Sequence, residues 1–122
     1  MTISLLTAST MALARRQAPV QLTWQDLGPT TEGTWRNCFT IKNISSETLQ
    51  ADWLIYYNQL PRTASKIESN QVMITTINRN YFRIAPTTQF KPLKPGDELR
   101  VYYQSNRHVP NVSWTPEEPF FV

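Results

Sequence analysis

The chain has 122 residues, 40% of them hydrophobic and 17% charged, with a formal net charge of +3. That length fits one domain with one core, and the balance excludes a disordered tail, a membrane-embedded chain and a large two-domain enzyme. The positive excess is spread along the chain, with Arg15-Arg16 as its one adjacent Lys/Arg pair, so it lacks the stripe that marks a nucleic-acid binder.

Nine Pro against three Gly, together with four Trp, five Tyr and five Phe, favour strands and turns over helices. The first segment, LLTASTMALA, is apolar and rich in small residues, and Ala12-Leu13-Ala14 fits an A-x-A cleavage site without a basic region before it. Residues 1–18 are therefore expected to be the remnant of a secretory leader or a flexible N-terminal tail, with the domain proper over 19–122. On that reading the protein is exported, to the periplasm, the cell surface or the medium. No run of about 20 apolar residues is present, so no membrane-spanning helix is expected.

Alternating segments follow. In VQLTW, Val20, Leu22 and Trp24 share one face. In TWRNCFTIK, Trp35, Asn37, Phe39 and Ile41 share one face, and Arg36, Cys38, Thr40 and Lys42 the other. NISSET reads as a turn, because Asn, Ser and Thr side chains compete for backbone hydrogen bonds. In ADWLIYYNQLPR, Trp53, Ile55 and Tyr57 point inward and Asp52, Leu54 and Tyr56 outward, and Pro61 ends the strand. QVMITTIN and YFRIAP form a hairpin across NRN, with Phe82 and Ile84 on one face and Tyr81 and Arg83 on the other. After the turn at Pro95-Gly96, Leu99, Val101 and Tyr103 share a face, and Glu98, Arg100 and Tyr102 the opposite one. VSWTPEEPFFV closes with a short strand, expected to lead on into a longer polypeptide. Seven or eight strands without a helix signal predict an all-β fold, an antiparallel β-sandwich of immunoglobulin-like form.

Candidate chemistry is sparse. Cys38 is the single cysteine, so no internal disulfide forms, and within its strand it reads as a buried inert thiol. His108, the single histidine, falls in a loop, which gives Cys38 no evident activating base. Asp97 and Glu98 are adjacent carboxylates, but neighbours on a strand point to opposite faces and Asp97 follows a Pro-Gly turn, so the pair reads as turn and strand edge. No clustered metal-ligand spacing and no Gly-rich phosphate loop is present, so no metal and no cofactor is expected. Asn43-Ile44-Ser45 and Asn111-Val112-Ser113 match the glycosylation acceptor pattern, a short pattern that also arises by chance. The aromatics remain. Tyr and Trp stack on the C–H faces of sugars while their polar tips hydrogen-bond. Tyr56, Tyr81 and Tyr102 point away from the core and Arg62, Arg83 and Arg100 can flank them, so these six are candidate carbohydrate-binding residues. The competing reading is cross-strand packing or contact with a neighbouring domain. Trp24, Trp35 and Trp53 fall on inward faces and read as core.

Several spaced motifs resemble one family: the strand Phe39 to Asn43 with its polar turn, Trp53 to Arg62, Tyr-Phe-x-Ile-x-Pro at 81–86, Leu-x-Pro-Gly at 93–96, and the Trp…Pro…Phe-Val ending. Over residues 20–122 the chain resembles the N-terminal carbohydrate-binding domain of bacterial β-N-acetylhexosaminidases and chitobiases, glycoside hydrolase family 20. The resemblance implies a carbohydrate-binding-module-like β-sandwich preceding a smaller α/β domain and a catalytic barrel, with the family's catalytic Asp-Glu pair in the barrel. It assigns no catalytic role to Asp97-Glu98 and adds no site residues. The expected function is that of a non-catalytic accessory domain of an exported hexosaminidase. It would bind glycans containing N-acetylglucosamine or orient the downstream catalytic domains of the same polypeptide. The alternative is a purely structural module without sugar binding.

Overall fold

Apolar alternation at period two builds strands along the whole chain, and each strand buries one face. The computed structural model describes residues 8–11, 18–59, 64–78, 81–105 and 117–122. Among these residues there are nine strands and no helix: β1 (Ala8–Met11), β2 (Val20–Pro29), β3 (Trp35–Asn43), β4 (Ile55–Asn58), β5 (Ala64–Ser65), β6 (Val72–Asn78), β7 (Tyr81–Pro86), β8 (Glu98–Ser105) and β9 (Glu117–Phe121). All pairings are antiparallel, and they form a five-stranded sheet, β1-β2-β3-β8-β5, and a four-stranded sheet, β6-β7-β4-β9. The architecture is the expected all-β antiparallel sandwich. The nine strands exceed the seven or eight read from sequence, and two short ones, β1 and β5, were not among the alternating segments. The two-residue β5 pairs with the end of β8, and β1, inside the segment read as leader or tail, pairs with β2 from Ala8↔Gln25 to Met11↔Leu22.

The inward faces meet as the alternation requires. Leu22, Phe39 and Val101 from one sheet pack in one cluster with Ile55, Phe82 and Ile84 from the other, all nearly or fully buried. Aromatic contacts run within each sheet and cross between the sheets from Phe39 to Tyr57. Phe39 stacks on Tyr103 at 5.5 Å between ring centroids and meets the edge of Tyr57 at 5.1 Å, and Tyr57 stacks on Phe82 at 5.3 Å. Such pairs each add about 0.5–1.5 kcal/mol beyond area burial. Trp24 Nε1 donates to Tyr103 Oη at 3.1 Å, which satisfies the indole inside the core. Trp53 packs between Phe90 and Phe121. Trp35 departs from the reading as core. It starts β3, opposite Pro29 and Ser105 at the end of the sheet, and is only partly buried.

Turns supply the register. Pro95 and Gly96 occupy a β-turn closed by Asp97 N donating to Lys94 O at 2.9 Å, and Gly96 takes φ +88°, the left-handed value this turn needs. Asp97 is thus a turn residue and Glu98 opens β8. Asn43 is fully buried. Its Nδ2 donates to Glu47 O and Leu93 O, both at 2.8 Å, and its Oδ1 accepts from Ser45 N at 2.9 Å and Ser45 Oγ at 2.7 Å. This amide organises the NISSE turn and leaves no room for a glycan on Asn43. Asn111, His108 and Trp114 lie outside the described residues.

Candidate functional site

The register of β2, β3 and β8 aligns outward side chains into three cross-strand rungs. Gln21, Lys42 and Glu98 make the first, Thr23, Thr40 and Arg100 the second, and Gln25, Cys38 and Tyr102 the third. A bulge between Asp26 and Gly28 follows, with Gly28 N donating to Asp26 Oδ1 at 2.9 Å and Gly28 at φ +95°. Leu27, at the bulge, adds an exposed apolar side chain beyond the third rung. These residues line a groove of about 250 Å³ on the outer face of the five-stranded sheet.

The groove changes character along its length. Its first rung carries charge, with Lys42 opposite Glu98. The second presents two hydroxyls and the Arg100 guanidinium. The third is floored by the buried Cys38, whose Sγ lies 4.0 Å from Thr40 Oγ1. Burial pushes the Cys38 thiol up, which keeps it protonated and inert at neutral pH. Tyr102 is held on two sides. The Arg36 guanidinium lies 4.4 Å above its ring and continues to Glu68, with Nη2 to Oε1 at 2.9 Å and Nε to Oε2 at 3.3 Å. The Tyr102 hydroxyl and then Glu98 hold Arg100 above its ordinary value, and Arg100 Nη2 stands 3.6 Å from Glu98 Oε1. A fork-shaped Arg pair and a cation over a ring both fix orientation, so Tyr102 is pre-set rather than free to swing.

The opposite outer face, on the four-stranded sheet, holds Tyr56, Tyr81 and Arg83. Arg83 is the direct partner of Tyr56 across β4 and β7, and Tyr81 pairs with Asn58. The rings of Tyr56 and Tyr81 stack on each other at 5.6 Å and 15°. Arg83 Nε is buried with no hydrogen-bond partner among the described residues, and Met73 and Ile77 on β6 are exposed.

The six sequence candidates therefore do not converge. All five described ones point outward, but Tyr102 and Arg100 stand on one sheet and Tyr56, Tyr81 and Arg83 on the other, with the core between them. The structure sets the five described candidates on two separate faces. Alternation distinguishes inside from outside but is blind to which sheet a strand joins. Arg62 lies outside the described residues. The groove residues Gln21, Thr23, Gln25, Thr40 and Lys42 were not singled out from sequence, because outward polar residues look like ordinary solvated surface. Their parity was visible, and only the β2–β3–β8 register gathers them.

Among the described residues no group of three or more His, Cys, Asp or Glu is placed to hold a metal ion, and no helix is long and apolar enough to cross a membrane. Residues 19–113 match the model of the family described as "Putative carbohydrate binding domain". No curated protein matches the sequence. The match spans most of the chain, and the chain belongs to that carbohydrate-binding domain family.

Proposed function

We propose that this member of the family is a non-catalytic accessory domain of an exported hexosaminidase, and that it binds N-acetylglucosamine-containing glycans in the groove on the five-stranded sheet. The observation that carries the reading is the groove itself: a concave strip with amide, hydroxyl and guanidinium groups converging beside one immobilised tyrosine. Concavity with a few well-placed polar groups is the general form of a small-ligand site, and Tyr pairs an apolar ring with a polar tip, as a sugar requires. Attachment to a hexosaminidase and export are supported by the motif resemblance and the Ala12-Leu13-Ala14 pattern.

The chain's part in this is binding and orientation. Gln21, Gln25, Thr23 and Thr40 exchange hydrogen bonds with sugar hydroxyls and the acetamido group, and the exposed side of the Tyr102 ring meets a C–H face. Affinity near the millimolar range, about −4 kcal/mol, is enough once the module is tethered to an enzyme working on the same polymer.

A second reading, a structural module, is favoured by the Tyr56–Tyr81–Arg83 face. Tyr, Arg, Met and Ile without a carboxylate among the described outward residues of β4, β6 and β7 is the composition of a protein contact rather than of open surface. Amide chemical shifts of the chain, titrated with the N-acetylglucosamine trimer, separate the two. Saturable shifts around Thr40, Arg100 and Tyr102, lost in Tyr102→Ala, support the glycan reading. An unchanged spectrum at several millimolar trimer refutes it and leaves the structural module.

A further inference from the structure

The groove's dimensions and the arrangement of its aromatics bear on the physical form of the glycan, an inference that rests on the glycan reading above. We infer that the groove takes a single soluble glycan chain, two to three N-acetylated sugars long, lying along β2, β3 and β8 with an acetamido methyl at the Leu27–Cys38–Tyr102 end. The chain on this view does not adsorb to the face of a crystalline polysaccharide.

Length comes first. Gln21 to Gln25 spans four residues of extended chain, about 13 Å, and three strands side by side span about 10 Å. That footprint suits a short oligosaccharide laid along the strands, and at about 250 Å³ the groove is far too small for a packed sheet of chains.

Flatness decides the second point. Holding a rigid crystalline face requires coplanar exposed rings, because such a face cannot bend into a concavity. Among the described residues the groove contains one aromatic, and Arg36 covers one side of its ring at 4.4 Å. On the other sheet Tyr56 and Tyr81 are stacked face to face, which removes one face of each from any planar array.

Polarity sets direction. The Lys42–Glu98 rung suits the hydroxyl-rich, fully hydrated part of the ligand. The Cys38 floor and the Leu27 side chain, 38% exposed, offer the apolar surface that a methyl group prefers over water. Thr23 and Thr40 between them supply hydroxyls at the sugar in the middle.

The test pairs two measurements on the full chain. Amide shifts are followed with the N-acetylglucosamine monomer, dimer, trimer and hexamer and with cellotriose, and pelleting is measured with insoluble crystalline chitin. The expected result is about tenfold tighter binding from monomer to trimer, no further gain for the hexamer, and about tenfold weaker binding of cellotriose, which lacks the acetamido group. Thr40→Val, close in shape but without the hydroxyl, is expected to weaken the trimer several-fold while preserving the spectrum of the fold. Retention on crystalline chitin without shifts from soluble oligomers overturns this inference and leaves glycan binding standing. Equal binding of cellotriose overturns the acetamido assignment, and shifts centred on Tyr56 and Tyr81 overturn the location. Absence of binding in both measurements instead overturns the glycan reading itself.

Discussion

Replacing Asn43 with alanine is expected to be among the more damaging single changes in the molecule, although it removes little more than an amide. The side chain makes four hydrogen bonds, two donated by Nδ2 and two accepted by Oδ1, at 2.7–2.9 Å, and its residue is fully buried. A net hydrogen bond contributes roughly 0.5–1.5 kcal/mol, with a further penalty when a buried partner is orphaned. Here the partners are partly protected. Leu93 O also accepts from Leu49 N at 2.8 Å, and the Ser45 hydroxyl, once released from Asn43 Oδ1, can turn its single proton to Glu47 O at 2.9 Å, so truncation leaves both carbonyls with one donor. The loss therefore lies near the plain sum of the four bonds, about 2–6 kcal/mol, which lowers Tm by roughly 10–20 °C for a domain of this size. Asn43→Asp is expected to be worse than Asn43→Ala. It keeps the acceptor for Ser45 but aims a carboxylate oxygen at two carbonyls in a buried site. Urea unfolding followed by the fluorescence of the buried Trp24 and Trp53 measures both variants. A loss below about 1 kcal/mol for the alanine variant, or an aspartate variant more stable than the alanine one, would refute the reasoning.

Three further outcomes are expected. Cys38 is buried at the groove floor and its thiol raised by desolvation, so a thiol reagent at pH 7–8 labels it far more slowly in the native protein than in urea; equal rates in the two states contradict that. Glu68 is held below its ordinary value of 4.5, chiefly by the hydrogen bond from Arg36. A depressed carboxylate contributes while ionised and loses its contribution as pH falls through its folded value, so Arg36 Nε and the Tyr102 ring resonances should move together below pH 4.5. Glu68→Gln should flatten that titration and leave Tm near wild type, because the pair is exposed, at 40% and 43% of the two side chains; a large fall in Tm contradicts the reading. Phe39→Ala removes a fully buried ring from between Tyr57 and Tyr103 and is expected to cost about 3–5 kcal/mol in denaturant unfolding; a cost near 1 kcal/mol would mean that the aromatic stack repacks.

Local pattern carried much of the fold. The inward and outward faces of β3, β4, β7 and β8 follow from alternation alone, as does the β6–β7 hairpin, in which Asn78 pairs with Tyr81. Non-local pairing was not legible in the same way. Nothing in the neighbourhood of Tyr56, Tyr81 or Tyr102 reveals that β4 and β7 join one sheet while β8 inserts beside β3 in the other. The groove was hidden for the same reason, since Arg100 joins Thr23 and Thr40 of the β2–β3 hairpin only through the long-range β3–β8 pairing. Asn43 shows another limit: the turn reading of NISSET and a chance Asn-Ile-Ser match give no sign of the burial and four hydrogen bonds that make it a structural amide. Trp35 shows that an inward-facing position at the end of a strand is not yet a core position.

The pairing of β3 with β8 also governs when the groove comes into being. β2 and β3 are joined by the short turn at Thr30–Thr34, whereas β8 is separated from β3 in sequence by β4 to β7, of which β4, β6 and β7 belong to the opposite sheet. Contacts of such high sequence separation form late and slowly. The groove is therefore absent from any partly folded chain, and a ligand lying across all three rungs acts as a staple on the last seam to close. Bound glycan should retard amide exchange along β3 and β8 most strongly, and in proportion to its concentration over Kd.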